Sequence, residues 1–220
     1  MARTDLSSID SMAAGHRLAV FGGFHPTQGD DCPESTGTIL LLGPSEPGFW
    51  AHVTTMPEWQ DGAPDPLDRW SKRVLADIAF IHGGEAIFPS DGPPYPPFYR
   101  WALRTERVWA SPVQLLVHDR AGLMVSFRGA LALPDRLDLP PPPAASPCET
   151  CTERPCEAAC PSGALTPEGY DVPSCHDFLD TPSGQDCLSS GCRVRRACPL
   201  SQAYGRLPEQ SAYHMRLFHK

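Results

Sequence analysis

Eight of the nine cysteines in this 220-residue chain lie between Cys148 and Cys198. The first group, CETCTERPCEAACPSGAL over 148–165, spaces its thiols as C-x2-C-x4-C-x3-C-P. The bacterial ferredoxin run is C-x2-C-x2-C-x3-C-P, which differs by two residues before the third cysteine. Close spacing lets one tight loop present several thiolates to different irons of a cubane, while the fourth thiolate of such a run reaches a neighbouring cluster. The second group is looser: Cys175, Cys187, Cys192 and Cys198, the last again followed by proline. Eight thiolates satisfy two four-iron clusters. Ferredoxin logic assigns Cys148, Cys151, Cys156 and Cys198 to one, and Cys160, Cys175, Cys187 and Cys192 to the other. Zinc is the rival metal, since it takes four thiolates in a tetrahedron. Zinc modules usually carry paired C-x2-C units, and Cys148/Cys151 is the single such pair. The doubled Cys-Pro ending favours iron–sulfur. Cys32 stands apart and reads as an ordinary thiol. His176, beside Cys175, reads as a solvent-facing neighbour rather than a ligand.

The rest of the composition limits the alternatives. No apolar run approaches the ~20 residues that span a bilayer, and the first residues, with Asp5 and Asp10, do not read as a secretory signal. A cytosolic, reducing location is the expectation, and there clustered cysteines are metal ligands rather than disulfides. The formal charge is −8 and no long basic run occurs, so no nucleic-acid partner is expected. No nucleotide-binding glycine motif, catalytic Ser-His-Asp set or carboxylate pair stands out.

These thiols need elements to position them. Prolines number 26, roughly twice the usual share of about 5%, so much of the chain is turn and extended loop. The segment LPPPPAASP at 139–147 favours an extended connection. It divides the chain into an α+β domain at 1–138, a linker at 139–147 and a cysteine-rich domain at 148–220. In the first domain, residues 18–21 and 38–42 read as buried strands. Phe49, Trp50, Val53 and Met56 fall at helical spacing. A helix is predicted over 66–82, with Asp65 as N-cap, Pro66 in the first turn, and Leu67, Trp70, Val74, Leu75 and Ile78 on one face. Gly83 and Gly84 end it. Residues 91–97 are a loop and 98–107 a short helix. Residues 113–117 and 123–127 read as a hairpin joined at 118–122, the second strand running on to Leu133. The elements do not alternate regularly, which favours α+β over a doubly wound sheet.

At several places the chain resembles a known group. CPSGAL at 160–165, YDVPSCHDFL at 170–179 and GCRVRRACP at 191–199 are similar to the C-terminal half of epoxyqueuosine reductases. Those proteins carry two 4Fe–4S clusters in a ferredoxin-type module beside a cobalamin-binding domain, and reductive dehalogenases are built similarly. Their last group has three cysteines after the glycine; here the middle one is absent and Cys187 stands in for it. TILLLGPSEPGFW at 38–50 resembles a segment of the cytosolic cobalamin-processing proteins of CblC type. HDRAGLMVSFRGALALP at 118–134 resembles a hairpin shared by both groups. The resemblance implies a nitroreductase-like first domain and a ferredoxin-like second one. It does not extend to the reductase's catalytic carboxylate, so that activity is not carried over. It also implies a flat cofactor in the first domain, cobalamin first and flavin second. Tyr95, Phe98 and Tyr99 would supply an apolar wall and His118 a polar contact. The resulting expectation is an iron–sulfur redox protein with one or two 4Fe–4S clusters that passes electrons to a bound cofactor or a redox partner. The alternative is a zinc-stabilised interaction module without redox activity.

Overall fold

The structure, a computed structural model, describes residues 5–220. In chain order the elements begin α1 (Leu6–Gly15), β1 (Leu18–Phe24), β2 (Thr38–Pro44), α2 (Phe49–Val53), α3 (Pro57–Gln60), α4 (Pro66–Ile81), β3 (Glu85–Ile87) and α5 (Phe98–Arg104). They continue with β4 (Val108–Ala110), β5 (Leu116–His118), β6 (Gly129–Leu133), β7 (Leu165–Thr166), β8 (Gly169–Tyr170) and α6 (Val172–Leu179). A 3-10 turn at Pro182–Gly184 leads into α7 (Gln185–Ser190), α8 (Arg193–Ala197), α9 (Pro199–Tyr204) and α10 (Pro208–Phe218). The class is mixed α+β. No helix among the described residues is long and apolar enough to cross a membrane.

The chain forms two compact units. The first comprises Met1–Arg107 and Ser126–Pro142, and the second Val108–Val125 and Pro143–Lys220. One change of unit falls within the proline segment, after Pro142, and two others fall after Arg107 and Val125. Residues 108–125 leave the first half of the sequence to join the cysteines.

The first unit is built on an antiparallel sheet of order β1-β2-β6-β3. Its central strand β2 is buried along its whole length, which explains a run of consecutive aliphatics in place of an alternating pattern. Leu40 pairs with Leu131 and Leu41 with Ala130. A bulge at Val20/Gly22 bends β1. Gly22 has φ +143, and a Cβ there would lie 2.7 Å from Thr105 Cβ, so the bulge needs glycine on both counts.

The predicted helix at 66–82 is α4, which packs on β3 and β6. Leu67, Trp70, Val74, Leu75 and Ile78 are buried on its inner face. Gly83 follows its C-terminus at φ +66, and the Gly84 N–H closes the end on the Ala79 carbonyl. Asp65 occupies the N-cap position, but its side chain caps nothing. Its backbone is left-handed at φ 53, whereas a capping side chain acts from an extended one. Unanticipated is α1, where Asp5 caps the Ser8 N–H and Ile9 and Ala13 are buried. The helix after the 91–97 loop stops at Arg104, because Glu106 turns left-handed.

The predicted hairpin at 113–127 is not formed. Leu116–His118 instead pairs with Val108–Ala110, and His118 makes one isolated bridge to Gly122. Residues 123–127 are irregular. A strand partner is unnecessary because guanidinium groups take over two of the carbonyls. Arg195 donates to the Leu123 oxygen and Arg206 Nη1 to that of Met124, at 3.2 Å. An apolar run cannot reveal such a substitution, since Leu123, Met124 and Val125 are buried all the same.

Candidate metal centre

The second unit has short helices, two two-stranded ribbons and a small apolar cluster. Val113, Val117, Leu123, Leu165 and Val194 form that cluster with the buried Cys156. Cys148, Cys160, Cys192 and Cys198 pack against it. All nine cysteines are free thiols.

Turns and helix ends deliver the sulfurs. Pro147 leads into a turn in which the Cys148 N–H donates to Ser146 Oγ at 3.3 Å. Cys151 and Cys156 follow in the same loop. Cys198 sits at the junction of α8 and α9, with Pro199 opening α9. Proline suits that first helical position because its missing N–H would have no intrahelical acceptor. Cys148, Cys151, Cys156 and Cys198 line one cavity of about 360 Å³, walled also by Pro112, Val117, Leu123 and Leu200. Burial pushes the Cys148 and Cys156 thiols up, and each is pushed further by its neighbours in this set.

Cys160, Cys175, Cys187 and Cys192 lie outside that lining. Cys175 lies on α6, whose first turn is fixed by Asp171 accepting from the Ser174 N–H at 3.1 Å. Cys187 lies on α7, and Cys192 is the N-cap of α8. Gly191 between them has φ +92, and a Cβ there would lie 2.5 Å from Ser211 Cβ on α10. Burial pushes the Cys175 thiol up, and Cys192, Cys160 and Cys187 add to the shift. Cys160 differs. Burial raises it, but the Ser162 hydroxyl and the N–H groups of Leu165, Ser162 and Ala164 outweigh this and leave it lowered.

Among the described residues, no group of three or more His, Cys, Asp or Glu side chains is placed to hold a metal ion. The first set surrounds a space far larger than one ion. Around a single zinc, with Zn–S of about 2.3 Å, tetrahedral sulfurs stand about 3.8 Å apart. A donor set of four thiols about a cavity of about 360 Å³ has the chemistry and the room for a polynuclear cluster, which needs thiolates and little else.

Of the residues expected to hold a flat cofactor, Tyr95, Phe98 and Tyr99 lie in the first unit and His118 in the second. Phe98 is buried against Trp101 and Phe127 in the first unit. Tyr95 and Tyr99 are 65% and 50% exposed. His118 belongs to the second unit and is fully buried. Its Nδ1 accepts from the Arg120 and Ala121 N–H groups at 3.1 and 3.2 Å. Its Nε2 lies 3.0 Å from Asp119 Oδ1. Through its Nδ1, His118 organises the 118–122 turn. The first unit does contain a cavity of about 270 Å³, lined by Asp68, Lys72, Phe88 and Arg128 among others. That is small for cobalamin, since drug-sized ligands already occupy about 300–1,000 Å³.

Three further positions stand where the sequence reading expected something else or nothing. His176 does not face solvent freely: its ring stacks on Phe218 at 4.5 Å, and its Nδ1 lies 2.7 Å from that of His219. Cys32 lies in the first unit beside Asp30, and burial and the nearby carboxylates push its thiol up to about 11. Tyr170 lies with its ring stacked on that of Phe218, at an interplanar angle of 19°. Comparison with protein-family models, with curated proteins and with solved structures finds no match.

Proposed function

We propose that the second unit is an iron–sulfur module, holding up to two 4Fe–4S clusters, and that the protein passes single electrons to a redox partner. The observation that supports this reading is that Cys148, Cys151 and Cys156 share the lining of one cavity of about 360 Å³ with Cys198, far from them in sequence. Cys148, Cys151, Cys156 and Cys198 would hold one cluster, and Cys160, Cys175, Cys187 and Cys192 the other. Such a cluster supplies reversible one-electron transfer. The chain's part is to bind through thiolates, to exclude water with Pro112, Val117, Leu123 and Leu200, and to set polarity around the sulfurs.

The finer reading of the units as nitroreductase-like and ferredoxin-like rests on the resemblances at 38–50, 118–134 and 148–199. A cobalamin, or second a flavin, would be the acceptor by the same token. The residues nominated for it do not form a common wall, so no step is derived through it. The acceptor is put no more narrowly than a protein or small-molecule redox partner.

Anaerobic purification, absorbance near 400 nm, and iron and sulfide counts per chain test the proposal. Two clusters give about eight irons and one gives about four. Stoichiometric zinc without iron or acid-labile sulfide overturns it in favour of a structural zinc module.

A further inference from the structure

We infer that the first unit binds a small organic anion, a single-ring molecule carrying a carboxylate or phosphate, in the cavity of about 270 Å³ beside α4. Every residue that lines this cavity belongs to the first unit. The site therefore stands whether or not the second unit holds iron.

Three stretches of chain meet there. Helix α4 contributes Asp68, Ser71 and Lys72, which share one flank of the helix. The turn after β3 contributes Phe88, Pro89 and Ser90. Asp91 closes that turn: its carboxylate accepts from the Phe88 N–H at 3.0 Å, and its own N–H donates to the Phe88 carbonyl at 3.0 Å. The segment entering β6 contributes Phe127 and Arg128. The Arg128 N–H donates to the Leu42 carbonyl of the buried strand β2 at 2.8 Å. The Phe127 ring packs against Phe21 and Phe98.

The charged groups favour an anion. Arg128 and Lys72 are cations, and Asp68 is the one carboxylate in the lining. The Arg128 side chain is 14% exposed and that of Asp68 55%, so water screens the repulsion of Asp68 more than the attraction of Arg128. Their contact, at 3.5 Å from Nη1 to Oδ1, is longer than a normal hydrogen bond. Lys72 Nζ stands 5.6 Å from the centre of the Phe88 ring and 3.1 Å from Asp91 Oδ1. A guanidinium and an ammonium each carry several donors, so both can add an acceptor to those they already hold. A carboxylate or phosphate suits the pair, since it takes charge-assisted hydrogen bonds on more than one oxygen.

Size and lining set the rest of the ligand. An apolar cavity of about 150 Å³ accommodates benzene. The larger volume here leaves room for one ring and its anionic group, with Phe88, Pro89 and Phe127 as the apolar wall. The Ser71 hydroxyl already donates to the Leu67 carbonyl at 2.7 Å, which leaves the Ser90 hydroxyl as the neutral donor of the lining.

The test is a ligand-observed NMR titration of the full chain with benzoate and with phenyl phosphate, set against benzylamine and inorganic phosphate. At least one of the two aromatic anions should bind, the tighter one naming the headgroup, and both controls should bind roughly tenfold more weakly or not at all. Arg128→Gln should weaken the anion roughly tenfold, the value of one charge-assisted hydrogen bond. Lys72→Gln, on an exposed helical face, should act in the same direction and decides the matter should Arg128→Gln fail to fold. Asp68→Asn should instead tighten binding, a sign that damage to the fold does not produce. No binding of either aromatic anion at millimolar concentration overturns the inference. So does benzylamine or inorganic phosphate binding as well as they do, or an affinity indifferent to both Lys72→Gln and Asp68→Asn. Protein stripped of iron should bind the anion equally, so failure of the iron–sulfur reading leaves this site standing.

Discussion

The two units are held together by different means. In the first, a strand buried along its whole length lies between β1 and β6, and large side chains such as Phe21, Phe49 and Trp70 are almost wholly enclosed. In the second, the apolar cluster is five aliphatic side chains and a cysteine, with Trp109, Leu115, Ala159 and four more cysteines packed against it. Fully burying a Val or Leu contributes about 1.5–3 kcal/mol. A metal–thiolate site in a small domain contributes on the order of 10 kcal/mol. On the function proposed above, thiols stand in the place of some core side chains, and the order of the second unit would depend on what they hold.

The sharpest way to break this contrast is to remove the metal. Stripping iron with a chelator under reducing conditions should abolish hydrogen-exchange protection in α6, α7, α8 and α9, while β2, β6 and α4 stay protected. Equal protection of the second unit with and without iron would mean that its apolar side chains suffice. Replacing one ligand comes next. Cys151→Ser should cost one cluster, taking iron from about eight to about four per chain, and loosen the turn at 148–156. An unchanged iron count would remove Cys151 from the ligand set. The converse experiment acts on the first unit. Trp70→Ala deletes a fully buried indole, and should destabilise that unit by about 3–5 kcal/mol without changing iron content in the folded protein. Chemical denaturation followed beside the iron absorbance checks this. Loss of iron in step with the unfolding of β2, shifted by the same amount in Trp70→Ala, would show that the two units do not melt separately. Smallest is Cys32→Ser, far in sequence from the others and in the first unit, which should leave the iron count as it was. A lost cluster there would redraw the ligand assignment.

Legibility followed the same contrast. The helix α4 and the strand β2 were readable because a long apolar stripe and a long apolar run each admit one arrangement. The thiol pattern was readable because ligand spacing is local. The 113–127 segment was not, since its apolar residues announce burial without naming a partner, and the partners of Leu123 and Met124 are arginines 72 and 82 residues away. Asp65 misled for another reason: the residue type was right and the backbone at φ 53 wrong. Tyr95 and Tyr99 suggested a cofactor wall by being aromatic, but neither composition nor spacing separates an exposed ring from a buried one in a proline-rich loop.

The partition itself has a consequence for synthesis and for engineering. The backbone passes from one unit to the other three times, after residues 107, 125 and 142. On the ribosome, the first unit cannot close until 126–142 has emerged, and by then 108–125 hangs from it as a loop. Val113, Val117 and Leu123 wait there for Cys156, Leu165 and Val194, which have not yet emerged. During that interval the nascent chain carries an uncovered apolar segment, the kind that holding chaperones retain. Nor can the cysteine-rich unit be transplanted as a cassette cut at the prolines. A graft that begins at 143 leaves half of its own core behind.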